Sequence, residues 1–160
     1  MAKEPIPNLL ILALFPFAED RISLRTILGH SNWELHFTAT FEEAQDALRG
    51  FSFGAVISEG RLPGGLCWKD LLSEIQDIAC PPPLIVVDRL ADERLWAEVL
   101  NIGGYDVLMK PFDAKEVLHA VTVACNFCEN ERRLTAVRKS AKTAQDTLPE
   151  SATQRALAGD

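Results

Sequence analysis

The stretch Tyr105-Asp106-Val107-Leu108-Met109-Lys110-Pro111-Phe112-Asp113 decides the fold. A run with strand character ends in a Lys-Pro bond, and a helix start follows at once. Proline has no backbone N–H and a fixed φ, so a strand that reaches it stops. Lys110 is left at the carboxyl end of a strand read as central, where open α/β sheets gather their ligands. A lysine in a buried strand needs an anionic partner, and Glu59, at the end of another predicted strand, offers one.

Working outward, five strand-then-helix units appear in order. Asn8 to Leu14 is an unbroken apolar run, short enough for a strand buried on both faces. Glu19 to Leu28 reads as a helix with acids in its first turn and Gly29 past its end. Trp33 to Phe37 alternates like an edge strand. Thr40-Phe41-Glu42-Glu43 is a capping box for a helix that Gly50 closes. Phe53 to Ser58 is the third strand, and Trp68, Leu71, Leu72 and Ile75 repeat at helical spacing. Cys80-Pro81-Pro82-Pro83 enforces an extended connection into the fourth strand, Leu84 to Val87. Leu95, Val99 and Ile102 mark the fourth helix, ended by Gly103-Gly104. Tyr105 to Met109 is the fifth strand, and Asp113-Ala114-Lys115-Glu116 is a second capping box.

Strict β–α alternation predicts an α/β domain with a parallel sheet covered by helices on both faces. The first strand is apolar throughout and the second alternates, which puts the first in the middle and the second at an edge. That is the doubly wound, flavodoxin-like (βα)5 order 2-1-3-4-5, with a ligand crevice between strands one and three. The last helix does not obviously stop. Ala120, Val123, Phe127, Asn130, Leu134, Val137, Ala141, Ala144 and Leu148 recur at alternating spacings of three and four up to Pro149. Either this is a heptad seam, in which Ala and Asn are poor members, or a helix fraying into a polar tail near residue 140. The predicted organisation is a domain over residues 7–128, a helical extension or tail over 129–148, and a disordered tail over 149–160.

Bulk properties narrow the function. A chain of 160 residues, 48% hydrophobic, suits one well-cored domain. No apolar run reaches a membrane span, and the start lacks a secretory pattern, so the expectation is a cytoplasmic protein with no membrane partner. Residues 1–128 hold ten Lys and Arg against eighteen Asp and Glu, and residues 129–160 hold six against five. Such an acidic body disfavours nucleic acid as a partner. The basic group Arg132, Arg133, Arg138, Lys139 and Lys142 reads as a solvated helix face. Cys67, Cys80, Cys125 and Cys128 read as reduced thiols. Cys125-x-x-Cys128 lies inside a helical pattern with no second half-site, which argues against a metal.

The carboxyl ends of the strands place Phe15-Pro16, Glu59, Val87-Asp88 and Lys110 around one depression. Here the chain resembles a response-regulator receiver domain, of degenerate type. Ser58-Glu59-Gly60-Arg61-Leu62-Pro63-Gly64 resembles the segment carrying the phospho-accepting Asp. Gly103-Gly104-Tyr105-Asp106-Val107-Leu108-Met109-Lys110-Pro111-Phe112 resembles the final strand, where the family implies a cis peptide at Lys110-Pro111. The resemblance also implies two acids after the first strand that help hold Mg²⁺; counted back from Glu19-Asp20-Arg21, they fall at Phe15 and Pro16. Neither side chain has an oxygen, and Mg²⁺ requires hard oxygen ligands. Glu19 and Asp20 have the simpler role of satisfying the helix N-terminus. Glu59 replaces the acceptor Asp and sits one methylene further out. Both departures disfavour phosphoryl transfer. The expectation is that the pocket is not phosphorylated and needs no cofactor.

The family's switch hydroxyl falls at Val87 and its switch aromatic at Val107. Tyr105, read as lying on the same side of the sheet as Val107, is a substitute route. Asp88 either caps the following helix or competes with Glu59 for Lys110. The Glu59–Lys110 pair is either a partial imitation of the phosphorylated pocket or an inert ion pair. The output face implied by the resemblance covers about residues 91–128. Trp96 with Arg94 and Tyr105 is the candidate contact there, against edge-of-core packing for Trp96. The expectation is a non-enzymatic adaptor in phosphorelay signalling, binding a histidine kinase or effector, with a homodimer through the tail left open. The rival reading, a flavin- or nucleotide-binding protein, rests on fold analogy alone. Gly60 and Gly65 have phosphate-loop spacing, but Leu66-Cys67 stand where its Lys-Ser/Thr belong.

Overall fold

The computed structural model describes residues 9–146. Five parallel strands form the sheet: β1 (Leu10–Leu14), β2 (Glu34–Thr38), β3 (Ala55–Glu59), β4 (Leu84–Asp88) and β5 (Asp106–Met109), in the order β2-β1-β3-β4-β5. The predicted order holds, and β5 lies at an edge rather than in the centre. Five helices alternate with them: α1 (Ala18–Leu28), α2 (Phe41–Gly50), α3 (Trp68–Gln76), α4 (Glu93–Ile102) and α5 (Ala114–Asp146).

Strand periodicity divides the core. Ile11, Ala13, Ile57, Ile85 and Val87 face Leu24 and Leu28 of α1 and Val117 and Val121 of α5. Leu12, Leu14, Val56, Leu84 and Val86 face Ala44 of α2, Leu71 and Ile75 of α3, and Val99 of α4. Most of these are inaccessible to solvent. Each fully buried aliphatic side chain contributes about 1.5–3 kcal/mol before entropy is counted.

Local chemistry sets the ends. The Thr40 hydroxyl accepts the Glu43 N–H at 3.2 Å and Asp92 accepts the Leu95 N–H at 2.9 Å, each satisfying a donor in a first helical turn. Gly103 closes α4 at φ +119, a conformation that disfavours any side chain. Asp113 accepts the Lys115 N–H at 3.2 Å at the start of α5. That helix continues through the position where fraying was one of two expectations, running unbroken to Asp146. The first residues of the predicted first strand and domain, and the proposed tail at 149–160, lie outside the described residues.

Candidate functional site

Strand register brings the site together. Glu59 ends β3 opposite Val87 of β4, and Lys110 follows β5, whose Met109 is opposite Asp88. The Lys110–Pro111 peptide is cis. The Lys110 ammonium donates to Glu59 Oε2 at 2.6 Å and to Asp20 Oδ2 at 3.0 Å. All three side chains are largely withdrawn from solvent, Lys110 most, at 7% exposure. Asp20 reaches the pocket from the first turn of α1, which has no side-chain cap. This corrects the expectation that Asp20 simply serves its own helix end. Phe15 and Pro16 offer no side-chain oxygen, and a buried ammonium with a single carboxylate partner still has donors to satisfy.

Asp88 does neither thing expected of it. Its Oδ1 accepts the Leu90 N–H at 2.9 Å, closing a turn of its own, while Asp92 caps α4. Its Oδ2 lies 2.9 Å from where a Cβ on Gly60 would sit, so a side chain at residue 60 would push the Asp88 carboxylate aside. Phe15 is fully buried and meets Phe112 edge-on, ring centres 6.1 Å apart. The Phe15 carbonyl accepts from Arg21 Nη1 at 2.6 Å. Val87 is fully buried in the core.

Three carboxylates and one ammonium leave the cluster electronegative. Burial is the largest influence on the Glu59 carboxyl and, with repulsion from Asp20 and Asp88, holds it above its usual value against the pull of Lys110. Burial works to lower the Lys110 ammonium, but its hydrogen bonds to Glu59 and Asp20 outweigh this and hold it above the ordinary lysine value. Outside the clamp, a cavity of about 360 Å³ opens between Asp20, Ser23, Arg89, Lys110 and Phe112. Arg89 and Ser23 carry no sequence signal that would have placed them there.

No protein-family model matches the chain. The chain is 31% identical over 148 residues to the C4-dicarboxylate transport transcriptional regulatory protein DctD of Rhizobium meliloti, covering 86% of this chain and 30% of that protein. It is 38% identical over 76 residues to the transcriptional regulatory protein FixJ of Bradyrhizobium diazoefficiens, covering 46% of this chain and 37% of that protein. The signal receiver domain of an HD domain-containing protein from Pseudomonas fluorescens superposes with a TM-score of 0.73 at 25% identity, over 82% of this chain and 97% of that one. This is a response-regulator receiver domain. The chain spans about a third of the length of the curated relatives it matches.

The receiver's second candidate region is the face between α4 and β5. Trp96 is 52% exposed and borders a depression of about 250 Å³ with Asp92, Val107, Met109 and Glu116. It is not packed at the edge of the core, the favoured sequence expectation. Arg94 is exposed on the same helix. Tyr105 does not join them. It precedes β5 and packs against Phe127 of α5, ring centres 5.2 Å apart, on the opposite side of the sheet from Val107. The two-residue period that linked it to Val107 applies only within a strand. Among the described residues no helix is long and apolar enough to cross a membrane.

Proposed function

We propose that this receiver acts in phosphorelay signalling without being phosphorylated itself, as a cytoplasmic, non-enzymatic docking module for a kinase or effector. The observation that carries this is Lys110 clamped between Glu59 and Asp20. A phosphoryl group would bring nearly two negative charges and three acceptor oxygens to this lysine. Two carboxylates already supply two charges and four oxygens. The pocket therefore rests in an imitation of its modified state, with the acceptor position one methylene too long for in-line transfer.

The donor set does not suit Mg²⁺. The positions where receivers carry acids after β1 hold Phe15 and Pro16, with Phe15 buried against Phe112. Lys110 stands between Asp20 and Glu59, so its ammonium provides the charge neutralisation that a cation would otherwise bring.

The test is incubation with a small-molecule phosphodonor and Mg²⁺, followed by intact-mass measurement. An unchanged mass is expected, and a lasting adduct of about 80 Da, one phosphoryl group, would overturn the reading. Docking is assigned to the face around Trp96. Trp96→Ala should leave unfolding within about 0.5 kcal/mol of wild type and weaken binding of a signalling partner about tenfold or more. Unchanged affinity for every partner would remove that assignment.

A further inference from the structure

Helix α5 outlasts the domain it belongs to. Its inner side, from Val117 to Cys128, is buried on the sheet, and Arg132 ties the helix to the body by donating to the Phe53 carbonyl at 2.5 Å. Residues 133–144 are all exposed. A second stripe runs along the outer side: Val123, Phe127, Asn130, Leu134, Val137 and Ala141, at spacings of four, three, four, three and four. Leu134 is 48% exposed and Val137 65%. A seven-residue apolar repeat is the pattern along which two helices wind around each other on one seam. A helical segment of this length, unpacked, is also marginal in water.

The charges beside the stripe select its occupant and direction. Glu131 and Arg138 flank the same side, seven residues apart, and neither belongs to an ion pair among the described residues. On the other side Arg133 is already held by Glu129 at 2.7 Å, and Ser140 is neutral. In an antiparallel pair of identical helices each side faces itself. Glu131 then meets Arg138 of the second copy, and the reverse contact forms by symmetry. Leu134 lies against Val137 of that copy at the centre, and Asn130 lies against the small Ala141. A parallel pair would instead bring Arg138 beside Arg133 of the second copy, a repulsive contact.

We propose that α5 pairs antiparallel with α5 of a second copy of this chain, centred on Leu134 and Val137 and aligned by two Glu131–Arg138 pairs. The receiver bodies then sit at opposite ends of the paired helices, with both Trp96 faces open for docking. The interface is independent of the pocket and stands whether or not Glu59 accepts phosphate.

Sedimentation equilibrium of the full chain at tens of micromolar tests this. The expected result is a dimer that Leu134→Glu converts to monomer while the thermal unfolding of the body persists. Glu131→Arg and Arg138→Glu should each weaken the dimer by about tenfold, as two attractive pairs become repulsive. The two reversals combined should restore it. A monomeric wild type, a dimer indifferent to Leu134→Glu, or tighter association of Arg138→Glu (the signature of a parallel pair) would each overturn the proposal.

Discussion

Lys110 has two carboxylates bonded to it and a third nearby, so removing the cation and removing one anion have unequal consequences. Lys110→Met leaves Asp20, Glu59 and Asp88 facing one another in a largely buried site. It should cost about 3–5 kcal/mol at neutral pH. The loss should shrink on acidification, because the raised Glu59 carboxyl takes up a proton and removes one of the facing charges. Glu59→Gln removes repulsion and leaves the Lys110–Asp20 bond. With its native pKa above 4.5, Glu59 binds its proton more tightly in the folded protein than in the unfolded chain. Its contribution therefore falls as pH rises through that raised value, and stays unfavourable above it. Glu59→Gln should be as stable as wild type or more so at neutral pH, with the advantage vanishing at lower pH, as urea titrations at two pH values would measure. The Lys110 contribution runs in the same sense but in a far more alkaline window: full below 10.5 and lost as pH climbs through the higher folded value. The thiols respond to burial in the same way. Cys125 is pushed up to about 12, and Cys128 is also raised. Alkylation of the folded protein at mildly alkaline pH should therefore spare both until the chain unfolds, as mass mapping of labelled peptides would read.

At the scale of the element, the helix ends carry separable increments. Asp92→Ala removes the side-chain acceptor for the Leu95 N–H and should cost about 1 kcal/mol in urea unfolding. Asp88→Ala should leave α4 intact, because its bond closes the turn before that helix. The sequence makes the first kind of feature plain. Thr40, Gly103 and Asp113 act on residues a few positions away, and the apolar runs of β1, β3 and β4 declare burial on two faces without knowledge of their partners. Glu59 and Lys110 were legible for the same reason: each sits where a strand ends, and strand ends converge. Asp20 was not, because its partner is 90 residues away. A first-turn acid already has a sufficient local explanation, which hid its longer reach. Tyr105 misled in the reverse direction, by extending a strand's period past the strand's first residue. The exposure of Trp96 depends on how far α4 stands from β5, a distance that no periodicity encodes.

Over the whole molecule, charge separates the receiver from the partners its relatives' names evoke. Both curated relatives are named as transcriptional regulatory proteins, yet this chain spans only about a third of either. Its net charge is −7, and the acids concentrate in the body. The basic group on α5 shrinks on inspection: the Arg132 guanidinium is bonded to the Phe53 carbonyl and Arg133 to Glu129. Arg138, Lys139 and Lys142 remain as exposed cations on that stretch. Non-specific affinity for duplex DNA scales with the number of phosphates neutralised, and each contact contributes about 0.9 to the salt slope. A handful of cations facing an acidic body leaves little affinity at physiological salt. Fluorescence anisotropy of a labelled duplex should therefore stay flat up to tens of micromolar protein. Reversing Arg138 alone should leave that null result unchanged while altering association between chains. A steep, salt-sensitive rise in anisotropy would instead place phosphates on α5 and make its outer side a nucleic-acid surface rather than a seam.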